Sequence, residues 1–229
     1  MKKQKNSSAW MALPLYIFTI VFVICPLLYV VALSFATPNR GYGVTWKFTL
    51  DNYKNILEPV YLNTFVESLK LALTSTAAIV LIGYPFGYFM AKLPEHRKKK
   101  AHLLLTLPFW VNSLIRLYGW IIILQKKGLL NFVLMKLGLI KKPLAILYSY
   151  PAIVVGMIYV LLPFMIMSVY SSAEKLDWSY VEAARDLGAS RVQAFFTVTL
   201  KLTLPGLLSG VILTFVPSMG LFFIADILG

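Results

Sequence analysis

Ionisable side chains are scarce in this chain, so their placement is informative. Its 229 residues include only 9 Asp or Glu against 22 Lys or Arg, and 59% of all residues are hydrophobic. Glu67, Lys70, Arg116 and Asp226 nevertheless fall within apolar runs. A charge in hydrocarbon is costly, and one retained there is a functional candidate. Glu67 and Lys70, three apart, suit a local ion pair on one helix face. His96 and His102 flank a basic turn without a carboxylate cluster that would make them acid–base catalysts. The phosphate loop G-x-x-x-x-G-K-[ST], the zinc motif H-E-x-x-H and the serine elbow G-x-S-x-G are missing. Cys25 is the sole cysteine, which excludes a disulfide or a cysteine metal site within one chain. The expectation is no catalytic residue, no metal and no cofactor: the chain is not an enzyme.

The elements that carry these residues are long apolar runs, at about 10–36, 64–92, 102–125, 149–171 and 203–227. Each is long enough to cross a hydrocarbon core, which takes about 20 residues. The runs are continuous rather than alternating, and helices satisfy the backbone in lipid, so the fold class is all-α, a polytopic membrane bundle. The first run follows KKQK as a signal peptide would, but is about twice the length of an h-region, so it reads as a retained helix. A formal net charge of +13 could indicate nucleic acid, yet basic loops are what orient a membrane protein. With the N-terminus inside, more Lys and Arg lie on the cytoplasmic side, PEHRKKK at 94–100 being the firmest cluster. No nucleic-acid partner is expected; the partner surface is a lipid bilayer. Segment 37–63 is then external, with a short interfacial helix around FTLDNYKNIL. Residues 126–148, apolar but interrupted by lysines, read as an interfacial helix on the bundle. Two GxxxG patterns, Gly83 to Gly87 and Gly206 to Gly210, permit close helix approach. No internal repeat or linker is visible, so residues 1–229 read as a single transmembrane domain.

The second cytoplasmic loop, about 172–202, holds the densest polar stretch, VEAARDLGAS. Asp177 suits a helix N-cap. Tyr180, Ala183, Ala184 and Leu187 then fall on one helical face, with Glu182, Arg185 and Asp186 on another. Glu182 and Arg185 can pair at i, i+3. Gly188 stands where a left-handed C′ residue ends a helix, and SRVQ at 190–193 fits the capping box that opens the next. The prediction is helix, glycine turn, helix at the membrane surface. Its small alanines allow close approach to another surface.

EAARDLG, with Glu182, Ala183, Ala184, Asp186 and Gly188, resembles the EAA signature of permease subunits in ABC importers, the binding-protein-dependent transport family. The family pattern closes with a proline where this chain has Lys201; Pro205 and Gly206 follow. LPFWVNSLIRLYGW, YVLLPFMIMSVYSSAEKLD and PSMGLFFIADILG extend the likeness, over about three quarters of the chain, to the spermidine/putrescine permeases. The resemblance implies a type I importer permease (MetI-like) fold of six spans, five visible here and the sixth apparently missing. It also implies a multi-pass location in the bacterial plasma membrane. The expected partners are a cytoplasmic ABC ATPase dimer that binds ATP and Mg, a second permease subunit, and an extracytoplasmic polyamine-binding protein. Glu182, Ala183, Ala184, Asp186 and Gly188 become ATPase-coupling residues. A polyamine path should offer carboxylates and aromatic faces, which makes Asp226, Trp110, Tyr118, Tyr159 and Phe222 path candidates. Arg116 would repel a polycation and reads, with Asn112, as structural glue between helices. The alternatives are a permease for another small solute or a membrane-embedded enzyme.

Overall fold

A computed structural model describes residues 7–39 and 43–229. The N-terminal lysines and Arg40, which enter the charge argument, lie outside the described residues. Five helical stretches are long and apolar enough to cross a membrane: Ala12–Ser34, Pro59–Ala91, Ser113–Lys136, Tyr150–Glu174 and Arg191–Gly220. The chain is a multi-pass membrane protein of helical class. It divides into two compact units, Met1–Val66 and Glu67–Gly229.

The first unit opens with helix α1 (Ser7–Thr19), a π-helical turn at Ile20–Ile24 and α2 (Cys25–Ser34). The π turn lies directly ahead of Pro26, whose ring would meet the carbonyl four residues earlier in a regular helix. The segment after α2 adds an element that its sequence does not signal, a two-stranded antiparallel ribbon of β1 (Ala36–Pro38) and β2 (Val44–Phe48). Phe35 stacks on Phe48 with ring centroids 5.4 Å apart. Asn52, on α3 (Asp51–Asn55), donates to the carbonyls of Ser34 and Ala36, both at 2.9 Å. The short helix expected around FTLDNYKNIL is present as α3.

In the second unit, α4 (Pro59–Ala91, from residue 67) is followed by α5 (Glu95–Thr106), a 3-10 turn at Leu107–Trp110, and α6 (Ser113–Leu124). The apolar run at 102–125 is therefore not one span. It breaks at Val111 and Asn112, which are extended, and the Asn112 Oδ1 accepts from the Leu114 N–H at 2.8 Å to start α6 afresh. Short helix α7 (Leu129–Lys136) occupies the start of the 126–148 segment. Fully buried Asn131 pins the rest, exchanging two hydrogen bonds with the Leu144 backbone (2.8 and 2.9 Å). Helix α8 (Tyr150–Glu174) leads to α9 (Ser179–Asp186), α10 (Arg191–Ala194), a second π turn at Phe195–Thr199, and α11 (Leu200–Gly220). The last apolar run also breaks, at Leu221, four residues after Pro217, before α12 (Phe222–Leu228).

Helix α8 is the centre of this unit. Lipid tails supply no hydrophobic drive for two helices to meet, so contact rests on close packing and small residues. Both GxxxG patterns face α8. A Cβ on Gly87 would lie 2.7 Å from the Ile166 carbonyl oxygen, and one on Gly206 would lie 2.8 Å from that of Ser168. The Ser168 hydroxyl donates to the Gly206 carbonyl at 2.9 Å, a polar tie across the same seam. Ile224 and Leu228 of α12 fill the space that Gly156 leaves open on α8.

Gly206→Ala is expected to lower the thermal unfolding midpoint of the purified protein, since overpacking a tight contact costs about 1–3 kcal/mol. Gly119→Ala, where an added Cβ meets nothing within 4 Å, serves as the matched control and should leave the midpoint in place.

Candidate functional site

Two regions carry the candidate residues, the loop around α9 and the polar groups along α6, α8 and α12. In the loop, the Asp177 carboxylate accepts from the Ser179 N–H at 3.0 Å, and that bond holds its carboxyl below the usual carboxylate range. It thus caps α9 from one residue ahead of the first turn. The other end closes as a Schellman motif: Gly188 has φ +90°, its N–H reaches the Arg185 carbonyl (2.9 Å), and the Ala189 N–H reaches that of Ala184 (3.0 Å). Ser190 and Gln193 then form a complete capping box, with the Gln193 N–H donating to Ser190 (3.2 Å) and the Ser190 N–H to Gln193 (2.9 Å). Every cap in this loop uses its own local polar atoms, so α9 and α10 hold their shape without a partner.

Glu182, Ala183, Asp186 and Gly188 are exposed, and Ala184 is half-buried. The apolar residues Tyr180, Leu187 and Val192 also face outward, Leu187 with 90% of its surface accessible. Glu182, Arg185 and Asp186 rim a recess with Ser190 and Arg191. Glu182 and Arg185, expected to pair, form no ion pair among the described residues.

The membrane candidates are spread over separate elements. Arg116 and Tyr159 meet, the guanidinium lying 5.4 Å from the ring centroid, and Trp120 packs edge-on against the same ring at 5.5 Å. Trp120 was not singled out from sequence, although it stands four residues after Arg116 and thus on the same face. Arg116 of α6 thus meets Tyr159 of α8. Asn112 serves instead as the α6 cap. Trp110 and Tyr118 present exposed rings, 89% and 59% accessible. Asp226 and Phe222 are exposed on α12, beyond the break in the last run. Glu67 and Lys70 form the expected local pair at 2.7 Å. A groove of about 830 Å³ runs between the inner halves of α8 and α11 to the start of α9. Ser168, Ser171, Ser209, Phe164, Asp177 and Tyr180 are among its lining residues. None of its hydroxyls had been read as functional, because serine in a span is also ordinary helix packing.

At the C-terminal end of α8, Lys98 lies between Glu95 (3.1 Å) and Glu174 (3.4 Å), and the hydrogen bond to Glu95 raises its ammonium above the usual lysine range. Tyr170 hydrogen-bonds to Glu174 as well. The basic turn is thereby fastened to the helix that enters the α9 loop.

Residues 6–229 match the family described as binding-protein-dependent transport system inner membrane component. Over 210 residues the chain is 46% identical to the spermidine/putrescine transport system permease protein PotB of Escherichia coli K12, covering 92% of this chain and 76% of that one. The corresponding protein of Haemophilus influenzae is 43% identical over 210 residues, covering 92% and 73%. Among solved structures, a bacterial ABC transporter involved in the import of the acidic polysaccharide alginate superposes with a TM-score of 0.64 at 19% identity, covering 94% of this chain and 74% of that chain. At that identity the likeness concerns the fold, which is that of ABC importer permeases.

Ser190→Ala should cost about 1 kcal/mol of local stability, the typical value of an N-cap. In hydrogen exchange of the reconstituted protein, protection of the Gln193 amide is expected to fall severalfold while amides of α8 keep theirs. The Asp177 cap has the opposite handle: its carboxyl is depressed in the folded protein, so its contribution is present at neutral pH and is lost as pH falls through the lowered value.

Proposed function

Because this chain belongs to the family of binding-protein-dependent transport system inner membrane components, we propose that it is the permease subunit of an ATP-driven polyamine importer. The observation that carries this reading is the α9–α10 loop. It is self-capped at both helices and presents Tyr180, Leu187 and Val192 to the cytoplasm. Such a loop can receive force from a partner without deforming. The partners are a cytoplasmic ABC ATPase dimer, which binds ATP and Mg, a second permease subunit that completes the pore, and an extracytoplasmic polyamine-binding protein. The N-terminus lies in the cytoplasm of a bacterial cell, as the basic turn at 94–100 favours.

ATP binding closes the ATPase dimer, and α9 moves with it as a lever. The spans then exchange between outward- and inward-facing states whose populations the nucleotide biases. Glu182, Ala183, Ala184, Asp186 and Gly188 form the docking element. This chain performs no covalent chemistry. Polyamine is chosen over other small solutes because the 46% identical relative is a spermidine/putrescine transport permease, whereas the molybdenum permease ModB of Mycobacterium bovis is 30% identical over 172 residues. Along the path, the carboxylate of Asp226 near the outer end and that of Asp177 at the mouth of the groove suit ammonium groups. Phe222, Trp110, Tyr118 and Tyr159 offer aromatic faces.

Purification of the chain with its neighbours is expected to retain a P-loop ATPase. Glu182→Lys or Gly188→Arg should abolish ATP-driven putrescine uptake while the chain still reaches the membrane; intact uptake would sink the coupling role. Asp226→Asn should raise the KM for uptake roughly tenfold or more without changing assembly, since a hydrogen bond to a charged group is worth about 1.5–3 kcal/mol. Unchanged kinetics would remove Asp226 from the path.

A further inference from the structure

The C-terminal end of α4 carries Tyr84 and Tyr88, and Lys92 follows one residue past it, the three forming a stripe at a spacing of four. That stripe grips the coupling loop at both ends. Trp178, just ahead of α9, meets Tyr88 edge-on with centroids 5.8 Å apart. Phe195, just after α10, meets Tyr88 at 5.7 Å and Tyr84 at 5.9 Å, both edge-on. The Lys92 ammonium lies over both rings at the entry side, 4.3 Å from the Tyr88 centroid and 4.7 Å from that of Trp178. Both distances are inside the range of about 6 Å in which a ring face attracts a cation. Deeper in, buried Tyr84 hydrogen-bonds to Thr203 of α11 at 2.8 Å.

The π turn at Phe195–Thr199 fits the same arrangement. Phe195 and Thr203 are eight residues apart, which on a regular α-helix places them about 80° apart around the axis. One residue absorbed by a π turn brings them to within roughly 20°. Both then face α4, one meeting Tyr84 by its ring and the other by its hydroxyl. In α8 and α11 the loop already has covalent links to two spans. The aromatic stripe adds a third, non-covalent link, to α4.

We infer that Tyr84, Tyr88 and Lys92 form a joint that transmits movement of the coupling helix to α4, with Lys92 as the positioning residue that holds Trp178 against Tyr88. The inference rests on the permease reading above. Edge-on rings tolerate sliding and rotation, so the joint passes displacement while the cation keeps the two sides together. Lys92 acts through the rings.

The test is a reconstituted complex of this chain with its ATPase, sister permease and binding protein, reading putrescine moved per ATP hydrolysed. Lys92→Gln keeps much of the stem and removes the charge. It should leave assembly of the complex intact and lower the transport-to-hydrolysis ratio by about fivefold, the scale of one cation–ring contact. Lys92→Arg should restore the ratio, since a guanidinium also sits on ring faces. Trp178→Leu reads the joint from the loop side and should uncouple in the same way. An unchanged ratio in Lys92→Gln and Trp178→Leu, or no rescue by arginine, overturns the joint. Failure of the unaltered chain to assemble with any ATPase overturns the permease reading and the joint with it.

Discussion

The second unit depends on how closely other helices can come to α8. In hydrocarbon, apolar side chains gain nothing by leaving lipid for one another, so association has to come from dense packing and polar ties. Gly87 and Gly206 supply that closeness from α4 and α11, each with its backbone against an α8 carbonyl. Ser168 adds a hydrogen bond at the second seam. Helix α8 is held between two neighbours, and its position decides where everything attached to it can go. Its C-terminal end is fastened further by Lys98, which bridges Glu95 and Glu174. The loop that follows therefore leaves from a fixed point.

That fixed point gives the self-capped loop its value. As the lever of the proposed function, the loop requires a rigid arm and a firm pivot. The arm is α9, closed by Asp177 at one end and by the Gly188 turn at the other. The pivot is the α8 terminus together with the aromatic stripe of α4. Leu187 stands exposed on the arm. The polar caps satisfy the backbone groups that a short helix leaves open, which is why eight residues can stand as a helix at an aqueous surface.

Sequence reveals this molecule where structure is decided locally. Apolar run length announces the spans, and the α9–α10 loop is legible almost residue by residue, because Asp177, Gly188 and the Ser190–Gln193 pair each act within a few positions of themselves. Legibility fails where the deciding partner is distant or the signal is shared. Asn112 was read as glue between helices because polar residues in spans often serve so, yet its carboxamide caps its own helix. The β1–β2 ribbon depends on Phe35 meeting Phe48 across a turn, a pairing no periodicity encodes. Trp110, Tyr118, Asp226 and Phe222 share the right chemistry for ammonium groups, but composition does not say whether they converge. The aromatic joint was hidden for another reason. Tyr84, Tyr88 and Lys92 do show a helical spacing, but their partners lie about 90 to 120 residues later.

The departure at Lys201 takes on meaning in the same terms. The family pattern that this loop resembles ends in a proline there. Proline loosens a helix by removing one backbone donor and crowding the preceding turn. This chain keeps the donor and loosens the helix slightly earlier, in the π turn where the Leu200 N–H reaches back to the Phe195 carbonyl. Both devices interrupt regular α geometry at the point where the loop re-enters the membrane. The π turn has a second consequence that a proline lacks: the inserted residue rotates Phe195 into phase with Thr203 and so onto α4. A strictly α-helical entry would retain the coupling loop but turn one of those two contacts away from the α4 stripe.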